Sequence, residues 1–117
     1  MKSESILTAL VEIIIESYRL EKAFKRLVNK IDFSEHTRYT NQIAWFDKKI
    51  LEATEGVGLR IIDLEGKIFD EGMPVTPLNI DEFGIDDTLV IEHMLEPTIV
   101  FDDKIYRTGT AILGRVT

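Results

Sequence analysis

The residue types that hold metals or carry covalent chemistry are sparse in this chain. Its 117 residues include no cysteine, which excludes disulfides, thiol catalysis and thiolate metal sites. The two histidines, His36 and His93, lie far apart in sequence, and no third ligand has the spacing of a zinc or facial-triad site. We interpret them as an ordinary helix residue and an ordinary strand residue. We therefore expect no metal and no other cofactor.

The densest acidic group comprises Asp81, Glu82, Asp86 and Asp87. It lacks the alternating oxygen ligands and the terminal glutamate of an EF-hand loop. Carboxylate catalysis needs one carboxyl group whose pKa is raised by burial, whereas this segment has the composition of a solvated turn. No Gly-rich phosphate loop leads from a strand into a helix, and nothing marks a nucleophile. We predict that the protein has no catalytic residue and is not an enzyme.

Composition and charge narrow the possible partners. Apolar residues make up 44% of the chain and charged residues 30%, which is typical of a folded domain. The net charge of −7 argues against binding to nucleic acid or to an anionic membrane. The apolar run from Ile6 is interrupted by Glu12 and Glu16, so it is typical of neither a signal peptide nor a membrane span. A cytoplasmic protein is the expectation.

Two amphipathic helices must account for the first half of the chain. The first is predicted from a cap at Ser3 or Ser5 to about Lys30, with apolar residues at steps of three and four that include Phe24 and Val28. Ile13 and Ile15 widen the apolar face. The helix is either buried within a monomer or forms a dimer interface. We favour a homodimer, because the small C-terminal half offers little area to cover this face. The expected dimerisation residues are Leu7, Leu10, Val11, Ile14 and Tyr18.

The second predicted helix begins after a cap at Ser34 and ends at Gly56 in a left-handed conformation. Its apolar residues step by four and three from Tyr39 to Ala53. Two helices joined by a short loop form an αα-hairpin, and two hairpins would form a four-helix bundle of coiled-coil type. Trp45 is expected in the core beside Phe46, although an exposed Trp45 would be a natural anchor for a partner.

The second half of the chain is predicted to be a small all-β domain of short strands. We expect strands at 59–62, 67–69, 88–95, 98–101, 105–107 and 110–116, with a hairpin turn at 102–104. The prolines at 74 and 77 indicate an irregular stretch. The predicted fold class is therefore α+β, with a helical dimerisation region at 1–56 and a β-domain at 57–117.

The junction between these halves carries a resemblance to a known family. Gly58, Leu59, Ile62, Gly66, Phe69 and Asp70 match, without a gap, the pattern Gly-Val-x-x-Ile-x-x-x-Gly-x-x-Phe-Asp. This pattern resembles the junction between helical bundle and β-domain in GrpE proteins, the nucleotide exchange factors of DnaK-type chaperones. Two later segments are similar to the β-domain strands of the family, 90–94 and, after one inserted residue, 104–111. In the first helix, residues 19–24 are similar to a further family segment.

The resemblance implies a function by binding. Members of the family form dimers that grip the nucleotide-binding domain of a DnaK-type chaperone and open its cleft, so that ADP leaves during the stress response. By family position, the residues expected on or near the partner face are Phe69, Asp70, Met94, Lys104 and Leu113. Met94 and Leu113 would supply apolar contact, and Lys104 a charge. Phe69 and Leu113 fit a β-core equally well, and Lys104 an ordinary turn.

Departures from the family keep a second hypothesis open. The segment after Asp70 differs from the family, and the long paired helix that usually precedes the bundle is missing. In this second hypothesis, the protein is a dimeric adaptor that has kept the fold and binds a different partner. Residues 73–78 would form an exposed loop that docks this partner. A third hypothesis, an enzyme of unknown type, would require a pocket lined by carboxylates with perturbed pKa values.

Overall fold

A computed structural model describes residues 2–116. The chain forms two compact units. The helical unit comprises residues 1–58 and the β unit residues 59–117. The division falls two residues beyond the boundary expected from sequence. A helical hairpin followed by a small β-domain confirms the predicted α+β fold class. Neither helix contains a stretch within residues 2–116 that is long and apolar enough to cross a membrane.

The helical unit is a hairpin of two long helices, α1 (Lys2–Val28) and α2 (Phe33–Glu55). A four-residue turn joins them, so they are neighbours. The ring of Phe24 meets the ring of Tyr39 edge-on, with 5.9 Å between centroids. The Lys25 Nζ lies 3.8 Å from the Asp47 carboxylate. These contacts join the facing sides of the two helices.

The predicted N-cap of α2 is wrong, whereas the predicted end at Gly56 is correct in position but not in conformation. The N-cap is Asp32 rather than Ser34, and the Asp32 carbonyl accepts hydrogen bonds from the N–H groups of Glu35 and His36 at 3.0 and 3.1 Å. At the other end Gly56 keeps a helical φ of −61°. The left-handed conformation belongs to Gly58, at φ 79°, because the chain makes one further turn before it leaves the helix.

The β unit contains two three-stranded sheets. In the first, β4 (Thr98–Phe101) lies between β1 (Leu59–Ile62) and β5 (Lys104–Arg107), and all pairs are antiparallel. In the second, β6 (Gly109–Arg115) lies between β2 (Val75–Pro77), which is parallel to it, and β3 (Leu89–Glu96), which is antiparallel. Buried apolar side chains form the core, namely Leu59, Leu64, Val75, Leu89, Ile91, Met94, Ile99, Val100, Ala111 and Leu113.

Two strand predictions are wrong, both at sheet edges. The expected strand at 67–69 is only an isolated bridge between Ile68 and Val90. The stretch around the prolines, expected to be irregular, contains β2. Pro77 is compatible with a strand there, because β2 is an edge strand and its missing N–H removes no ladder hydrogen bond from the sheet interior. Residues 75–77 therefore do not form the exposed docking loop of the adaptor hypothesis.

The chain crosses between the two sheets at two adjacent points. Pro97 lies between β3 and β4, and Thr108 lies between β5 and β6. The Gly109 N–H donates to the Thr98 hydroxyl at 3.1 Å, and that hydroxyl donates to the Pro74 carbonyl at 2.5 Å. A Cβ on Gly109 would lie 2.5 Å from the Glu96 carbonyl oxygen. Only glycine fits this crossing without movement of the backbone.

Candidate functional site

The side chains that could hold a metal ion are dispersed. Within residues 2–116, no group of three or more metal-ligating side chains converges. The Nδ1 of His36 lies 3.5 Å from the Thr40 hydroxyl on the same helix. The Nε2 of His93 lies 3.6 Å from the Glu92 carboxylate on the exposed surface of β3. Both contacts are local. His36 also lines a groove with Asp47, but within residues 2–116 these two side chains are not joined by a third to form a metal-ligating group.

One carboxyl pair on the helical hairpin was not found from sequence. Partial burial raises the pKa of Glu21, and a hydrogen bond with the Asp47 side chain adds to the rise. The Lys25 Nζ, 2.8 Å from a Glu21 carboxylate oxygen, opposes this shift. The three side chains come from two helices, so their proximity depends on the register of the hairpin. We interpret the pair as a structural contact that depends on pH. Glu21 lines the groove between the helices together with Ser17 and Phe24.

One side of α1 carries a row of exposed aliphatic side chains at seven-residue intervals. We call Ile6, Ile13, Leu20 and Leu27 the heptad row; their side chains are between 57 and 70% exposed. Seven-residue spacing keeps side chains on one side of a helix over its whole length, as in helices that pack against a second helix along a seam. The row therefore places four exposed apolar side chains on one side of α1.

The predicted dimerisation residues occupy a different position. Val11 and Ile14 are buried within the single chain, so their side chains are not at its surface. Leu7, Leu10 and Tyr18 are only half-buried. The dimerisation set stays a prediction, with Val11 and Ile14 as its least accessible members. The three- and four-residue steps of the sequence fit two neighbouring faces of α1, and burial alone distinguishes them.

The second helix also exposes aromatic surface. Trp45 is 59% exposed, and the Lys49 Nζ lies 4.5 Å from the centroid of its ring. Phe46 lines a groove of about 240 Å³ between the helices, together with Leu20 and Phe24. The prediction that Trp45 belongs to the core is wrong, and its exposure fits the alternative of an anchor for a partner.

The residues predicted to contact a chaperone do not share one surface. Asp70 and Lys104 are exposed, and Phe69 is half-buried. Met94 and Leu113 lie in the core between β3 and β6, with exposed fractions of 2 and 3%. Their apolar side chains are therefore not available to a partner. The alternative that Leu113 belongs to the β-core is confirmed.

A groove of about 530 Å³ on the β unit was missed by sequence reasoning. We call it the acidic groove; its lining includes the apolar side chains of Phe69, Phe83 and Ile85 and the carboxylates of Asp70, Glu71 and Asp87. The signal in the sequence was the apolar pair around Gly84 within an acidic segment. We interpreted that segment as a solvated turn, because sequence does not show that the chain brings Phe69 beside it.

The loop at this groove is held by hydrogen bonds to Asp87. Its side chain accepts from the Gly84 N–H at 2.8 Å and from the Arg115 Nε at 3.1 Å. The backbone hydrogen bond and then the guanidinium hold the pKa of Asp87 below its usual value. Ile85, inside this closed turn, is fully exposed.

We compared the chain with known protein families, curated proteins and solved structures. No protein-family model, no curated protein and no solved structure matches the chain.

Proposed function

We propose that this protein is a GrpE-like co-chaperone, which binds the nucleotide-binding domain of a DnaK-type chaperone in the cytoplasm and promotes ADP release. The observation that carries the proposal is the conformation of the two glycines in the family-like motif. Gly58 and Gly66 both have a positive φ, 79° and 88°. Residues other than glycine rarely adopt these φ values. The backbone conformation therefore favours glycine at both positions of the motif.

The heptad row supports a homodimer. Four large aliphatic side chains are exposed on one helix face, and exposed apolar side chains grouped in this way mark interaction sites. The helical unit has nine acidic and nine basic side chains, so two copies would meet without net repulsion. Two hairpins paired along this row would form a four-helix bundle.

The proposed mechanism is a shift of population in the chaperone. The protein binds the open nucleotide cleft more tightly than the closed one and so increases the open fraction. Reciprocity requires bound nucleotide to weaken the affinity of the chaperone for this protein by the same factor. If about 1% of clefts are open, a preference of about 10⁴-fold makes the open state dominant.

The direct test is stopped-flow release of a fluorescent ADP analogue from a DnaK-type chaperone of the same source. We expect release to accelerate and to saturate with the concentration of this protein. Lys104→Glu should raise the half-saturating concentration about tenfold, because it reverses an exposed charge on the proposed partner face and so weakens binding. Lys67→Glu reverses an exposed charge elsewhere on the β unit and should change release little. Release that is unaffected by the folded protein would contradict the proposal.

A second candidate function is a dimeric adaptor that keeps this fold without exchange activity. The burial of Met94 and Leu113 favours it, because two positions assigned to apolar contact with the chaperone are not at the surface. Isothermal titration against the chaperone separates the candidates. An adaptor with another partner should show no heat of binding, whereas an exchange factor should bind the nucleotide-free chaperone more tightly than the ADP form.

A further inference from the structure

We propose that the acidic groove of the β unit binds a basic segment of a partner polypeptide, with one bulky apolar side chain seated against Phe69 and Phe83. The proposal goes beyond the chaperone, since it specifies the chemistry of the bound segment and not the protein that supplies it. Its support comes from the shape of the groove, its charge and the fixed geometry of its loop.

The size and lining of the groove select the class of ligand. A volume of about 530 Å³ is within the range that holds a small molecule or a few side chains. Carboxylates in the lining disfavour an anionic ligand. No group of three metal-ligating side chains converges in the described part of the chain, so the groove does not offer the set of ligands that a metal cation needs. A polypeptide with cationic and apolar side chains matches both parts of the lining.

Charge complementarity extends beyond the groove. The β unit carries twelve acidic side chains against five basic ones, so the whole net charge of the chain lies on this unit. Among the residues that line the groove there is no lysine or arginine. Arg115 is engaged with Asp87, which leaves the carboxylates of Asp70 and Glu71 to attract basic side chains. Such a field raises the association rate of a basic partner.

The loop that presents Ile85 is organised before any partner binds. In addition to the Asp87 side-chain contacts, the Asp87 N–H donates to the Gly84 carbonyl at 3.2 Å. The guanidinium of Arg115 lies 5.3 Å from the centroid of the Phe83 ring and packs over it. A fixed loop with a fully exposed isoleucine loses little entropy on binding, which is a property of interface anchors.

The test is fluorescence anisotropy with labelled synthetic peptides and the full chain. The probe contains two leucines between pairs of lysine and arginine, and two comparison peptides replace either the basic residues by glutamate or the leucines by serine. We expect a dissociation constant on the order of 10 μM for the probe and at least tenfold weaker binding of both comparison peptides. Added salt should weaken probe binding. Failure to bind at about 1 mM, or equal binding of the glutamate peptide, would overturn the proposal.

Variants locate the binding to the groove. Ile85→Ser combined with Glu71→Gln changes two exposed side chains of the groove and should weaken the probe about tenfold or more. The matched control, Ile105→Ser with Asp103→Asn, removes one exposed isoleucine and one charge elsewhere on the β unit. Equal affinities for the two double variants would place the peptide outside the groove and contradict the proposal.

The outcome is distinguishable from that of the chaperone proposal. ADP release is measured on the same variants, without peptide. Peptide binding without accelerated release would support the groove and reject the exchange factor. Accelerated release by a protein that does not bind the probe would reject the groove alone.

Discussion

The helical unit and the β unit differ in where they keep their charge and their apolar surface. The helical unit balances nine acidic with nine basic side chains and exposes large apolar side chains along both helices. The β unit concentrates twelve acidic side chains against five basic ones, around a core in which Leu59, Ile91, Ile99 and Ala111 are completely buried.

This difference indicates two kinds of contact. An apolar surface without net charge is compatible with a second copy of itself, since burial is favourable and repulsion is small. An acidic surface opposes pairing with its own copy and favours a basic partner. We infer that the surface of the helical unit favours self-association and that the surface of the β unit favours binding of a basic partner. The following changes test that contrast, from the largest expected effect to the smallest.

Gly109→Ala should unfold the β unit selectively. Its new Cβ would lie 2.5 Å from the Glu96 carbonyl oxygen and 2.6 Å from the Met94 Cε, so the backbone at the crossing must move. We expect the β unit to lose about 3 kcal/mol of stability or more. Hydrogen exchange measured by mass spectrometry reports on each unit separately. Gly72→Ala is the control, because its nearest atom would be a flexible Asp70 carboxylate oxygen at 3.6 Å. Equal protection of the β unit in both variants would contradict the role of Gly109.

Ile13→Glu combined with Leu20→Glu should abolish dimerisation. Two charges in the heptad row would be buried without partners in a paired bundle. We expect the dimer dissociation constant to rise by about 100-fold or more, measured by sedimentation velocity. Ile105→Glu places a charge on an exposed isoleucine of the β unit and should leave the dimer intact. A wild-type protein that stays monomeric at about 100 μM would rule out the proposed dimer.

Asn79→Ala should destabilise the β unit by about 2 kcal/mol. The Asn79 side chain donates to the Leu113 carbonyl at 3.0 Å and accepts from the Leu113 N–H at 2.9 Å, which continues the pairing of β6 beyond β2. Asn41→Ala removes an exposed amide from the helical unit and should change stability by less than about 0.5 kcal/mol. Urea unfolding followed by circular dichroism measures both. Similar losses in the two variants would mean that the Leu113 contact adds little.

Glu21→Gln should flatten the pH dependence of the helical unit. Because the folded pKa of Glu21 is raised above its ordinary 4.5, the folded hairpin binds a proton that the unfolded chain releases. The resulting stability is present at acidic pH and is lost as the pH rises through the raised value. We expect an effect below about 1 kcal/mol. Trp45 fluorescence during urea unfolding, at several values between about pH 4 and pH 7, measures it. Glu16→Gln, in an exposed ion pair with Arg19, is the control and should keep the wild-type slope.

The sequence predicted the elements whose signals are local. Apolar residues at steps of three and four predicted both helices, and short β-prone runs predicted the longer strands of the β unit. Sequence-based prediction failed where the pairing of strands decides whether a segment forms a strand. Residues 67–69 have strand composition but form only one bridge with β3, whereas residues 75–77 lie in a proline-interrupted stretch and still form an edge strand.

The candidate surfaces were less predictable than the elements. Val11 and Ile13 have the same side-chain type and lie two residues apart, yet one is buried and the other is 62% exposed. Met94 and Leu113 matched a family pattern and are core residues. Phe69 and Phe83 are distant in sequence, and the groove between them exists only once the sheets have formed.

The sequence by itself determined the helical hairpin, the β-rich second half, the absence of cysteine chemistry and the net charge of −7. These follow from local periodicity and composition, which need no knowledge of distant contacts. The tertiary structure decided which face of α1 is exposed, which glycine cannot accept a Cβ and which carboxylates surround an apolar groove. These depend on side chains far apart along the chain, because burial and charge density are properties of the folded surface.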